Sequence, residues 1–265
     1  MKVSKIIIIL FVLVQISLAE KEEKYGGVFK YRYSELWVLA LSVGFQASGQ
    51  WAITNHMNSD FETANNQNLP EWEKWQVGRN FSWANDLSNY LLFIGAYPVV
   101  DAVLKVNGET AFYESMVLAE LLFVNSGLNL WVRSSGAWPR PYYFDEGRDR
   151  GGDKPEILGS LYSGHASSTF ALAMGWYQIK KMRGDEGWEN LIGFGFAALS
   201  SSMRVVAGKH YVTDVIVGAL AGSVLGYYYP TYRMGESPFR YWVIPKFENE
   251  KVTPIGVELN LSWVF

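Results

Sequence analysis

Six apolar runs dominate this chain: residues 36–53, 91–106, 111–132, 166–182, 191–206 and 212–229. Each is too long for an ordinary strand and long enough for a helix of four turns or more. The third run carries Glu114, Glu120, Asn125 and Asn129 at helical spacing, so that helix needs a polar stripe facing something other than oil. Between the third and fourth runs, residues 133–161 hold Pro139, Pro141, Gly147, Gly151, Gly152 and Pro155 and read as one long loop. Residues 56–87, rich in Asn, Asp, Glu and Trp, read as a loop with short structure. The expected fold is all-α, a bundle of about six core helices.

The two ends differ from this pattern. Lys2 and Lys5, the apolar run 6–14 and the small residues Ser17 and Ala19 read as a signal peptide over 1–19, so export is expected. Residues 20–235 then form the helical domain, and 236–265 a tail. In that tail Ile255, Val257, Leu259, Leu261, Trp263 and Phe265 alternate with Glu258, Asn260 and Ser262, the period of a half-buried strand. With the β-rich stretch 241–247 it predicts a short C-terminal β-hairpin.

Composition narrows the chemistry. There are no cysteines, which removes disulfides, thiolate nucleophiles and thiolate-bound metals. Only His56, His165 and His210 are available for imidazole chemistry. The net charge of −3 offers no basic surface for a nucleic-acid backbone, so no nucleic-acid partner is expected.

Three short motifs follow one another, each beside an apolar run. They are Arg133 to Pro141 with Arg140 inside it, Tyr162-Ser163-Gly164-His165, and Arg204 followed by His210 and Asp214. Cleaving a phosphate ester without a metal requires fixed positive donors around the phosphoryl oxygens. The planar, permanently charged forks of Arg133, Arg140 and Arg204 suit that task. A neutral imidazole can attack phosphorus, and a second can protonate the leaving oxygen. His210 and Asp214, four apart, lie on one face if helical, so the carboxylate can orient the ring. Ser163 is placed to cap a helix whose N-terminus favours an anion, and Gly164 lets the backbone come close to it. Singly, each feature has an ordinary structural explanation; their ordered joint occurrence favours a site.

These motifs resemble the three signatures of the type 2 phosphatidic acid phosphatase and vanadium haloperoxidase superfamily. The resemblance covers roughly residues 85–230. It implies a helical bundle and a phosphoric ester hydrolase that uses a phosphohistidine and no metal or other cofactor. His210 would be the nucleophile, His165 the acid and Asp214 the partner of His210. Arg133, Arg140, Arg204 and the Ser163-Gly164 backbone and hydroxyl would bind phosphate. The implied substrates are lipid phosphates or pyrophosphates, or small phosphoesters for a soluble member. The chain departs from the family where Arg133 replaces a usual Lys, where Tyr162 replaces a usual Pro, and where Met203 separates Ser202 from Arg204. The alternatives are a vanadate-dependent haloperoxidase with His210 as vanadate ligand, and a non-catalytic envelope protein that keeps the pocket.

Other polar residues have plainer roles. His56 reads as surface, Glu114 and Glu120 as facing a polar groove or an Arg, and Lys209 as either site charge or solvated. Lys180, Lys181 and Arg183 between the fourth and fifth runs read as a cytoplasmic loop, which places the motifs on the outer side. An envelope enzyme facing the periplasm and associated with a membrane surface or bilayer is expected; its oligomeric state is not legible.

Overall fold

The structure is a computed structural model that describes residues 33–56, 69–95, 97–98, 108–135, 139–144, 155–182, 184, 187–234, 247–248 and 251–252. Among these residues six α-helices form the body: α1 (Tyr33–His56), α2 (Ser82–Ile94), α3 (Gly108–Ser134), α4 (Gly164–Met182), α5 (Ile192–Val206) and α6 (Val212–Met234). Short 3₁₀ turns at Glu71–Gln76, Pro141–Phe144, Pro155–Leu158 and Trp188–Leu191 punctuate the connections. The all-helical expectation holds over this body. Helix α2 starts at Ser82, inside the stretch read as loop, and ends at Gly95; Tyr97 and Pro98 are helical again, and the rest of the run 91–106 lies outside the described residues.

Helix α4 is the centre of the bundle and is flanked by α3, α5 and α6. Leu118 and Leu121 of α3 meet Ala171, Leu172, Trp176 and Ile179 of α4, with Leu225 and Tyr229 of α6 against them. Burying side chains of this size stabilises the fold by about 1.5–3 kcal/mol each. Helices α4 and α6 approach closely because α6 presents Gly218, Gly222 and Gly226, one per turn. A Cβ on Gly222 would lie 2.1 Å from the Ser167 carbonyl oxygen. The α1–α3 pair is equally tight, for a Cβ on Gly49 would lie 2.8 Å from the Gly127 carbonyl.

The polar stripe of α3 has two functions. At its N-terminal end Glu120 is fully buried and pairs with Arg233 of α6, Nε to Oε2 at 2.8 Å and a second guanidinium nitrogen to Oε1 at 3.2 Å. The Tyr229 hydroxyl donates to the same carboxylate at 3.0 Å, and the Tyr113 hydroxyl donates to the Arg233 carbonyl at 2.9 Å. Glu120 thus pairs with an Arg, one of the two roles expected for it. At the C-terminal end Asn125 donates to Ser167 and Ser168, and Asn129 donates to the Tyr162 carbonyl at 2.7 Å, tying α3 to the start of α4.

Helices over 111–134 and 212–234 are long and apolar enough to cross a membrane, by length and composition. The first is more than half buried in the bundle, as a core helix is; the second buries only 22% of its apolar window. Helix α1, which contains the uncharged run 36–53, is not among them; Gln46, Ser48, Gly49 and Gln50 dilute it. In the tail, Phe247–Glu248 pairs antiparallel with Lys251–Val252. The signal-peptide residues 1–19 and the alternating run 255–265 lie outside the described residues.

The glycine contacts make a test. Gly222→Ala forces α4 and α6 apart and lowers the thermal unfolding midpoint, at a cost of about 1–3 kcal/mol. Gly44→Ala, whose Cβ meets nothing within 4 Å, leaves the midpoint unchanged or raises it. Equal midpoints for the two variants contradict the packing described.

Candidate active site

The motif residues come from four helix ends and two loops that meet at one end of the bundle. Arg133 closes the last turn of α3, and its Nε donates to the Gly159 carbonyl at 2.9 Å. Arg140 sits in the loop that follows, with its backbone N–H on the Ile157 carbonyl at 2.9 Å. Arg204 occupies the last turn of α5. Just past that helix Gly208 adopts φ +68°, the left-handed conformation that ends helices. A Cβ there would stand 1.9 Å from the Arg79 carbonyl oxygen, so the close approach also demands glycine. The reversed chain presents the Gly208 carbonyl to the Tyr142 N–H at 3.1 Å and brings His210 beside Arg140.

His210 is 2% exposed and held at both ring nitrogens. Nδ1 lies 3.0 Å from the Ser160 carbonyl oxygen, and Nε2 lies 3.2 Å from a terminal nitrogen of Arg140. A carbonyl only accepts and a guanidinium only donates, so Nδ1 carries the proton and Nε2 carries the lone pair. Asp214 is 3.6 Å from Nδ1 through Oδ2, an ion-pair distance rather than a hydrogen bond. That oxygen accepts instead from the Ser160 hydroxyl at 2.5 Å and the Tyr211 N–H at 2.9 Å. The spacing of four is therefore not a helical face, for His210 precedes α6 and Asp214 closes a cap on its first turn. Asp214 is linked to His210 through Ser160, whose hydroxyl meets the carboxylate and whose carbonyl meets the ring, a residue the motifs did not single out.

Ser163 caps α4, its hydroxyl accepting from the Ala166 N–H at 3.4 Å. Its own N–H is engaged by the Asp214 carbonyl at 3.0 Å, which locks the start of α4 to the start of α6. A Cβ on Gly164 would lie 3.0 Å from the Asn129 side-chain oxygen, so this glycine also accommodates the polar stripe of α3. Ser202 points away from the site and donates to the Ala198 carbonyl. Lys209 donates to the Asn80 side chain at 3.1 Å and stands over the Tyr142 ring. His56 ends α1.

Two groups in this region went unnoticed in the sequence. Glu73 is fully buried and accepts from the Thr213 N–H at 2.7 Å and its hydroxyl at 2.9 Å, anchoring the 3₁₀ turn before α2 to the N-terminus of α6. Helix α2 contributes Asn85, Ser88 and Asn89. One guanidinium nitrogen of Arg204 donates to Asn85 at 2.7 Å and Ser88 at 3.2 Å, and Nε2 of His165 lies 2.8 Å from Asn89 Oδ1. Only the i, i+3, i+4 spacing of these polar residues could have signalled a helix face turned toward a site.

Charge unifies the cluster. Burial holds His165 down, and the positive charges of Arg204, Arg140 and Arg133 add to it, lowering its pKa to about 3. Burial and then Arg140, Arg204, Arg133 and His165 hold His210 well below the ordinary imidazole range. Both rings are neutral at pH 7, and all three arginines act on both. The arrangement can hold a multiply charged anion, with a neutral nucleophilic nitrogen beside it.

An anion bound there cancels part of the arginine field and favours the imidazolium, so the pKa of His165 must rise on binding. Inorganic phosphate is expected to move the His165 titration, followed by imidazole NMR, up by about one unit or more. An unmoved titration at saturating phosphate contradicts a shared pocket.

No curated protein and no solved structure matches the chain significantly. The PAP2 superfamily model matches residues 112–236, the span from α3 through the end of α6 that carries Arg133, Arg140, Ser163, Gly164, His165, Arg204, His210 and Asp214. Over this span the chain is similar to the PAP2 superfamily, the family whose signatures its motifs resemble.

Proposed function

We propose that this chain is a metal-independent phosphatase that hydrolyses a phosphate monoester or pyrophosphate of a lipid through a phosphohistidine on His210. The observation that carries the reading is the pairing of a buried neutral imidazole with a guanidinium at its free nitrogen, 3.2 Å apart and contributed by residues 70 positions apart. In the proposed reaction the phosphoryl oxygens take over the donors of Arg133, Arg140 and Arg204. His210 Nε2 attacks phosphorus while Nδ1 keeps its proton, hydrogen-bonded to the Ser160 carbonyl. The bond to the leaving oxygen breaks, and His165 supplies that oxygen with a proton. Water then attacks the phosphohistidine and gives its proton to His165, and phosphate departs with the enzyme restored. The guanidinium groups neutralise the transferring group, the task a metal ion has in other phosphatases.

The lipid assignment rests on the outside of the bundle. Leu41, Phe45, Leu87, Leu220 and Val224 are exposed along α1, α2 and α6. Trp51, Trp72, Trp75, Trp83 and Trp131 are exposed on the segments that surround the candidate site. Tryptophan rings gather where hydrocarbon meets headgroups, so this distribution suits a site at headgroup depth in a membrane-associated protein. The periplasmic orientation is part of the same proposal and rests on the basic residues Lys180, Lys181 and Arg183, the first two of which lie in the last turn of α4.

His210→Ala is expected to abolish both turnover and trappable phosphoenzyme, while Asp214→Asn slows turnover by about 10–100-fold. A near-normal rate in His210→Ala removes the nucleophile assignment. Chelators are expected to leave the rate unchanged. Long-chain lipid phosphates in mixed micelles should exceed short-chain soluble phosphates in kcat/KM by at least about tenfold. Peroxide-driven halide oxidation in the presence of vanadate, without phosphate release, would identify a haloperoxidase instead.

A further inference from the structure

Helix α2 lies outside the three motifs and outside the matched span 112–236, yet it supplies the group nearest to His165 Nε2. The helix is built around that duty. Ala84, Ser88 and Leu91 are buried on its inner side, and Ser88 is fixed there by the Ser200 hydroxyl, which donates to its carbonyl at 3.2 Å. Its opposite side is apolar and exposed at Trp83, Leu87, Tyr90 and Phe93. Between these faces Asn85 and Asn89 stand one turn apart at the site. Arg204 anchors the first of them, so the helix cannot rotate or slide without breaking that contact. Asn89 is thereby held with its Oδ1 2.8 Å from the His165 ring.

We infer that Asn89 is a positioning residue for the acid–base step: its amide oxygen keeps the proton on His165 Nε2, so that Nδ1 is the nitrogen that exchanges a proton with substrate and water. An amide oxygen can only accept, and a ring nitrogen facing it must carry hydrogen in both the neutral and the charged ring. The neutral ring then has its lone pair on Nδ1, ready for the water proton. The imidazolium keeps Nε2–H on Asn89 and releases the proton of Nδ1. No net change occurs at Asn89 over a cycle. The assignment rests on the phosphatase reading for its chemistry and on the observed contact for its geometry.

The charged or titratable groups around His165 are Arg204 at the end of α5, Arg140 in the loop, Arg133 at the end of α3 and His210 before α6. Asp86 of α2 is exposed. A carboxylate at position 89 would be a new negative partner for the ring and would favour its charged form. Activity that needs protonated His165 is lost as pH rises through its pKa, so raising that pKa moves the alkaline limb upward.

Three measurements on the full chain test this. Asn89→Ala should lower kcat/KM for an alkyl phosphate by roughly tenfold or more, yet for p-nitrophenyl phosphate by less than about threefold, because nitrophenolate leaves without a proton. Asn89→Asp should shift the alkaline limb of kcat/KM up by about one pH unit or more. Imidazole nitrogen NMR should show His165 as the Nε2–H tautomer in the wild type and as a mixture in Asn89→Ala. Equal losses on both substrates, an unmoved alkaline limb or an unchanged tautomer overturns the inference. A wild type inactive on every phosphoester overturns the phosphatase reading instead, and the tautomer measurement still decides the role of Asn89.

Discussion

Three guanidinium groups and two imidazoles share one largely buried volume, and most of what surrounds them exists to make that tolerable without cancelling it. Like charges at low dielectric repel strongly, and an unpaired buried charge is costly. A nearby carboxylate for each arginine would remove the cost and also the affinity for an anion. Among the described residues the three arginines meet neutral dipoles. The Gly159 carbonyl accepts from Arg133, the Lys209 carbonyl from Arg140, and Asn85 and Ser88 from Arg204. These contacts hold the guanidinium groups in place without cancelling their charge, and the buried Nε of Arg204 has no hydrogen-bond partner among the described residues. Asp214 is the carboxylate close to His210, and the Ser160 hydroxyl and the Tyr211 N–H engage its oxygen.

The opposite end of the same helices shows the other solution. Glu120 and Arg233 are both buried and meet in two contacts, with Tyr229 completing the carboxylate. That pair neutralises itself and joins α3 to α6. Two buried arginine environments in one bundle thus have different consequences. The carboxylate that faces Arg233 makes a brace; the amide and hydroxyl oxygens that face Arg204 hold it in place and leave its charge unneutralised.

The neutral state of the imidazoles follows from the same field. A guanidinium at Nε2 of His210 repels a proton there, and the Ser160 carbonyl retains the one on Nδ1. As the proposed nucleophile, His210 is consequently ready before substrate arrives. As the proposed acid, His165 has to gain a proton when substrate binds, and the incoming anion would favour that gain. In the proposed reaction, binding and activation of the acid are coupled through charge.

Much of this was legible in the chain. The long apolar runs dictated helices because only that conformation satisfies the backbone over such lengths, and the motif residues were recognisable by type, order and spacing. The α2 face was not legible: Asn85, Ser88 and Asn89 break the apolar period that marks a helix, so a segment whose inner side turns toward a site reads as loop. Nor could Ser160 be found, since its role depends on a hydroxyl and a carbonyl facing different partners. Sequence alone determined which groups were available, because residue types set charge and hydrogen-bonding capacity. Tertiary structure decided what faces each imidazole nitrogen, and that Asp214 reaches His210 through a cap and a serine rather than along a helical face. Those outcomes depend on distances of a few ångströms between segments far apart in the chain, which no local pattern encodes.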